Sequence, residues 1–416
     1  MATNKVTVEG TPSQPSLAKH DCAVLDLAFA MDCTGSMGQY IDTARTNIRA
    51  IVEQIVSSEK SDVHLALVEY RDHPPQDPSF VTRPHDFTAS VSTMKSWLDG
   101  CSAQGGGDSP EAVADALHDM LKLSWRENAT KICVLVSDAP PHGLAPHGDG
   151  FPNGCPAGLD PMDIVRQLAA KGITLYSVGC EPDINPYKEF FTAIAYLTGG
   201  QYIPLRGAKA LTQVIIGGAQ EEISLERWMA EVDEEVQREI SMGNQINDDE
   251  MTRRVQAKMD SKGIRGKKLQ RNNFDLEAAS ASSKKLAEFT NMEDVRSNFS
   301  ASAMAPSMGS GMASAMAPSM GSGMASAMAP SMGSGMASAM APSMGSGMAR
   351  PRGSARARFA AVPSSAPMMS MGASGMATPP GMATGEADTW DTVESNISYG
   401  QAARMVQKSK SRNNYK

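Results

Sequence analysis

The amino-acid sequence predicts an α/β fold: a doubly wound, mostly parallel sheet with helices on both faces, followed by a helix and a long disordered tail. Three observations carry this expectation. Between residues 21 and 206, short apolar runs alternate with segments of helical periodicity. The runs are apolar throughout, as strands covered on both sides must be. From residue 300 onward Ala, Ser, Met, Gly and Pro dominate, and such a stretch buries too little apolar surface to offset its chain entropy.

The elements follow in order. VLDLAFAM (24–31) is short and apolar enough for a buried strand. Ile41, Ala44, Ile48, Ile51, Ile55 and Val56 then recur every three or four residues, as in a helix packed on a sheet. DVHLALVEY (62–70) reads as the second strand, and FVTRPHDF (80–87) as an edge strand, where Pro is tolerated. Helices are expected at 90–99 and 109–123, the second with Pro110 and Glu111 in its first turn. KICVLVSD (131–138) is an apolar strand ending on a carboxylate, followed by a Pro/His/Gly-rich loop over 139–158. A helix at 160–171, strands at 173–180 and 201–205, a helix near 186–197 and another from about 208 complete the pattern. Right-handed crossovers make this a doubly wound sheet. EEISLERWMAEVDEEVQREI (221–240) reads as one further amphipathic helix.

The expected organisation is a polar leader at 1–20, an α/β domain at 21–206, a charged helical extension at 207–299 and a low-complexity tail at 300–416. Residues 301–348 are four perfect copies of ASAMAPSMGSGM. Gly and Pro interrupt every copy and Met is its only sizeable side chain, so the segment reads as a linker rather than a solenoid.

Formal net charge is −8 across 416 residues, which argues against nucleic acid as a partner. From residue 300 nine Arg and Lys face four acids; such a basic tail is expected to be solvated, with weak contact to acidic proteins or membrane surface at most. The six cysteines show no CxxC pair, and Cys33, Cys133 and Cys180 fall in or beside strands, where they pack as small apolar residues. No secretion signal and no 18-residue apolar run is found, so a reduced, cytoplasmic setting is the expectation.

In open α/β sheets ligands bind beyond the carboxyl ends of strands. There the chain offers Asp32-Cys33-Thr34-Gly35-Ser36, GGGDSPE (105–111) and Ser137-Asp138. Asp32, Thr34, Ser36, Asp108 and Asp138 are the candidate metal ligands. Carboxylate and hydroxyl oxygens without His or Cys define a hard-cation site, for Mg²⁺ or, in its place, Mn²⁺ or Ca²⁺. His142, His147, Asp149 and Cys155 lie in the 139–158 loop at irregular spacing; that loop reads as plain surface rather than a zinc site, with His142 near enough to Asp138 to brace it. Arg71-Asp72-His73 is expected to form local hydrogen bonds. No phosphate loop, nucleophile elbow or HExxH is present.

D-x-T-G-S resembles the D-x-S-x-S signature of the metal-ion-dependent adhesion site in von Willebrand factor A domains, over about residues 22–206. The resemblance implies that Thr34 and Ser36 ligate the metal directly, Asp32 directly or through water, and that Asp138 is the third loop's acid. The family's second loop carries a Thr after a Gly pair; here Asp108 follows Gly105-Gly106-Gly107, leaving direct or water-mediated ligation open. DCTGSM, YRDH (70–73), GGGDSPE, SDAPPHG (137–143) and EEISLERWM are more narrowly similar to the A domain of the alpha-kinases that carry one. That likeness implies a cytoplasmic protein linked to kinase signalling and to contractile or vacuolar membranes. An alpha-kinase's zinc module needs His and Cys, and there is no Cys after Cys180 and no His after His147, so the expectation is a relative without the kinase domain. The functional expectation is therefore a non-enzymatic protein-binding module that captures a Glu or Asp of a partner protein through the metal. Two alternatives stand beside it. One is an active or regulatory alpha-type kinase; the other is a scaffold working through helix 221–241 and the tail.

Overall fold

The computed structural model describes residues 21–243, 247–300 and 388–413. Strand β1 (Asp21–Asp32) leads into helix α1 (Gly38–Glu59), β2 (Asp62–Tyr70), β3 (Thr82–Thr88), α2 (Val91–Gly100) and α3 (Val113–Lys122). Next come β4 (Ala129–Ser137), α4 (Pro161–Ala170), β5 (Ile173–Glu181), α5 (Lys188–Leu197) and β6 (Gln201–Arg206). After these lie α6 (Leu211–Glu226), α7 (Met229–Ser241), α8 (Asp248–Ser261), β7 (Arg265–Arg271) and β8 (Phe274–Asp275). The last elements are α9 (Ala281–Glu288), α10 (Met292–Asn298), β9 (Trp390–Asn396) and α11 (Tyr399–Arg412).

The main sheet has the order β3-β2-β1-β4-β5-β6, parallel except for the antiparallel edge strand β3. Alternation along β1 splits the core in two. Leu25, Leu27, Phe29 and Met31 meet α1, α2 and α6 on one face. Ala28 and Ala30 meet α3, α4 and α5 on the other, where alanines let the helices approach closely. The doubly wound fold expected from the alternating pattern is present. Cys33, Cys133 and Cys180 are buried, as small apolar residues are. Among the described residues no helix is long and apolar enough to cross a membrane.

Three expectations change. Helix α3 begins at Val113 rather than 109, because the Glu111 N–H donates to the Pro140 carbonyl and Glu111 bridges Pro141. Segment 221–241 is not one helix: α6 ends at Glu226, the chain turns through Arg227 and Trp228, and α7 starts at Met229. The tail is the largest change. Residues 390–396 pair antiparallel with β7 in a second sheet of order β8-β7-β9, and 399–412 form a capped helix. The leader, the repeats and residues 349–387 lie outside the described residues. The repeats therefore stand between two stretches of one folded unit, not on a free end.

Helix α11 explains why its basic residues are not solvated. Arg404, Lys408 and Arg412 follow an i, i+4, i+8 spacing, share one helical face and are buried. On α6 they meet Glu221, Glu222 and Glu226, also buried. Arg404 reaches Glu221 at 2.9 Å, Glu222 at 3.1 Å and the Tyr176 hydroxyl at 2.6 Å. Lys408 pairs with Glu222 and, at 2.6 Å, with Glu226, which Arg412 grips through both oxygens at 2.9 and 3.1 Å. The described basic tail thus finds its acidic partner in its own chain. Gly199, at φ +74°, is required where α11 crosses, since a Cβ there would lie 2.5 Å from that of Lys408. Apolar packing completes the joint: Ala402, Met405 and Val406 sit with Met229, Val232 and Val236 of α7 and Met251, Val255 and Met259 of α8.

Buried ion pairs add little net stability, but deleting one partner strands a charge. Arg404→Met is expected to cost about 3–5 kcal/mol in urea unfolding. Burial opposes the charge on Glu222, but Lys408 and Arg404 outweigh it and hold its carboxyl below the usual 4.5. Its contribution is full above pH 4.5 and is lost as pH falls through the lowered value. Stability of Glu222→Gln, measured from pH 7 down to pH 3, should therefore vary less below pH 4.5 than that of the unmodified chain.

Candidate metal centre

Parallel register sets the site. Asp32 pairs with Tyr70 of β2, and Met31 with Val136 of β4, so three neighbouring strands end side by side. Their chains leave as Cys33-Thr34-Gly35-Ser36, Arg71-Asp72-His73 and Asp138. Between β1 and β4 the strand order reverses, which opens a crevice at the carboxyl ends.

Asp32 forms the floor and is fully buried. Its Oδ1 accepts from the Thr34 N–H at 2.9 Å and the Thr34 hydroxyl at 2.6 Å, and its Oδ2 accepts from Ser137 at 3.4 Å. Burial, and then the neighbouring Asp138 charge, push its carboxyl up to about 7 in spite of these bonds. Burial also raises Asp138, while a hydrogen bond from Ser36 works the other way. Thr34 is buried and Ser36 exposed, so the hydroxyl loop spans from floor to mouth.

Glu111 belongs to the same cluster. Burial first, then Asp32, Asp72, Asp108 and Asp138, push its carboxyl up to about 10, and its Oε2 is buried without a hydrogen-bond partner. Gly106, at φ +75°, lets the loop close over it: a Cβ there would sit 2.8 Å from Glu111 Oε1 and 3.4 Å from Thr34 Cβ. Sequence reasoning assigned Glu111 to a helical first turn and so missed it; the acid of GGGDSPE that no helix needed was the available signal. The fifth candidate, Asp108, is held off to one side with Asp72 and His142, each bringing one ligand atom within 4.8 Å of the others. Its Oδ2 accepts from the Gly150 N–H, while its Oδ1 is buried without a partner.

His142 braces the crevice, through Asp72 rather than Asp138. Its Nε2 lies 2.7 Å from Asp72 and its Nδ1 2.9 Å from Asp149, all three buried. Burial opposes its charge, but the two carboxylates prevail and raise its pKa. Asp149 further accepts from the Gly143 and Phe151 N–H groups. The 139–158 loop is thus not plain surface: part of it is folded in around His142, while His147 stays exposed and Cys155 joins other partners. Arg71, Asp72 and His73 likewise reach far beyond local contacts. Arg71 donates to the Cys33 carbonyl at 3.1 Å, the Ser79 hydroxyl at 2.8 Å and the Ser102 carbonyl at 2.7 Å, tying three loops to the end of β2.

The donors at the crevice are carboxylates and hydroxyls, the set for a hard divalent cation. Crowded buried carboxylates and the orphaned Glu111 oxygen fit such an ion, because a positive charge offsets what burial and mutual repulsion cost them.

The von Willebrand factor A domain model matches residues 26–144. An ariadne-like RING finger protein of Acanthamoeba polyphaga mimivirus is 30% identical over 206 residues, 47% of this chain and 20% of that protein. Alpha-protein kinase vwkA of Dictyostelium discoideum is 28% identical over 155 residues, 36% of this chain and 24% of the kinase. This chain thus spans a quarter or less of the length of these relatives. A von Willebrand factor type A structure from Catenulispora acidiphila shares 16% identity with a TM-score of 0.34, covering 49% of this chain and 43% of that one.

Removing the brace tests its role. His142→Phe leaves Asp72 and Asp149 buried without their shared partner, and should cost about 3–5 kcal/mol in chemical denaturation.

Proposed function

With residues 26–144 a von Willebrand factor A domain, we propose that this protein is a binding module whose crevice captures a Glu or Asp side chain of a partner protein with a divalent cation between them. Asp32, Thr34, Ser36 and Asp138 would hold the ion, with Asp108 and Glu111 as the nearby acids; Mg²⁺ suits the oxygen set, with Mn²⁺ or Ca²⁺ as substitutes. When bound, the cation supplies a Lewis-acidic place that an outside carboxylate fills. The chain's own residues do the rest. Asp32 anchors the floor, and the neutral hydroxyls of Thr34 and Ser36 add donors without adding negative charge. Exposed Ser36 leaves the mouth accessible to a partner.

One observation carries the reading. Two acids at the ends of adjacent strands are each hydrogen-bonded to a hydroxyl of the same short loop, and the charge of Asp138 raises the carboxyl of Asp32. No activated nucleophile or general base is needed for such capture. A scaffold acting through segment 221–241 is less well supported, since the acids of α6 are occupied by α11. A reduced intracellular setting belongs to the same proposal.

Immobilised full chain should retain a partner from cell extract in Mg²⁺ and release it in EDTA. Asp32→Ala should abolish both Mg²⁺ binding by calorimetry and partner retention. Retention unchanged by EDTA and by Asp32→Ala would refute the reading.

A further inference from the structure

Beside the crevice, His73, Asp115 and Cys155 converge from three separate elements. His73 follows β2, Asp115 lies in the first turn of α3, and Cys155 sits in the loop before α4. His73 Nε2 is 2.9 Å from Asp115 Oδ2 and 3.7 Å from Cys155 Sγ, and that sulfur is 3.2 Å from the same Asp115 oxygen. The trio resembles a nucleophilic relay only in composition. A relay places the thiol on one imidazole nitrogen and the carboxylate on the other, whereas here a single nitrogen faces both.

Three donors closing on one another describe something else. Their triangle encloses a point roughly 2 Å from each corner, the length of zinc bonds to imidazole nitrogen and carboxylate oxygen and slightly short of that to thiolate. The loop around Cys155 points the same way. The Ala157 N–H donates to the sulfur at 3.3 Å, and Gly158, at φ +74°, closes the turn with its N–H on the Cys155 carbonyl at 3.0 Å. Burial and the Asp115 charge push the Cys155 thiol up to about 11 in spite of that N–H, so a metal bound there displaces the thiol proton as it binds. Asp115 and Cys155 both line a cavity of about 250 Å³.

We propose that His73 Nε2, Asp115 and Cys155 hold a zinc ion, with its fourth position open to this cavity and taken by water. Thiolate and carboxylate together neutralise the dication, and a mixed nitrogen, oxygen and sulfur set suits borderline-soft zinc rather than magnesium. The site is separate from the oxygen-lined crevice and does not depend on its reading. Bound zinc would pin the 139–158 loop to α3 and to the end of β2.

Cobalt reports such a site directly. Full-length protein stripped with chelator and titrated with Co²⁺ should take up one equivalent with a thiolate-to-cobalt band in the near ultraviolet. Zn²⁺ should abolish the band, and excess Mg²⁺ should not. Cys155→Ser should lose the band, and His73→Ala should weaken Zn²⁺ binding at least about tenfold, measured against a chromophoric chelator. Absence of the band in the unmodified chain would overturn the proposal whatever the variants do. So would displacement by Mg²⁺, or a band surviving Cys155→Ser, which would move the metal to another thiol such as those of Cys33 and Cys101, the other described cysteine cluster.

Discussion

Desolvation of Asp32 organises the carboxyl-terminal end of the sheet. A carboxylate with no access to water needs compensation, and the chain supplies it from two residues. Thr34 donates twice and Ser137 once, against burial and the charge of nearby Asp138. None of these bonds cancels the repulsion between the two acids. That repulsion is relieved by a proton, as the raised carboxyls of Asp32 and Glu111 record, or by the cation proposed above.

The surrounding scaffold is built from charges that cannot be exchanged freely. Arg71 binds the carbonyls of the loops that carry Thr34 and Gly105, and His142 bridges two buried acids. Each contact joins segments remote in sequence, so the ligand loops are held by the fold rather than by their own turns. Elsewhere in the fold, α6 and α11 repeat the principle with three cations on three acids. Such clusters add little net stability, but removing one member strands a buried charge, so each of these cations of α11 is matched to an acid of α6.

The strands were legible in the sequence because β1, β4 and β5 are buried on both faces and leave apolar runs that nothing else explains. Asp32, Thr34, Ser36 and Asp138 were legible because they follow those runs directly. Asp72 was passed over because its partner, His142, is 70 residues away. Strand β9 hid in WDTVESN, an edge strand of which only Trp390 is buried, so its polar residues outnumber its apolar ones. Helix α11 hid because a row of Arg and Lys ordinarily signals a solvated face; only the matching glutamates at 221, 222 and 226, almost two hundred positions earlier, give it a dry one.

Placing the duplicated ASAMAPSMGSGM units between α10 and β9 in the sequence has a consequence for their number. The penalty for closing a loop grows only with the logarithm of its length, roughly 0.6 kcal/mol for each doubling. Adding or removing a copy therefore costs the folded unit little, whereas a substitution in β9 or α11 removes a strand pairing or strands a buried acid.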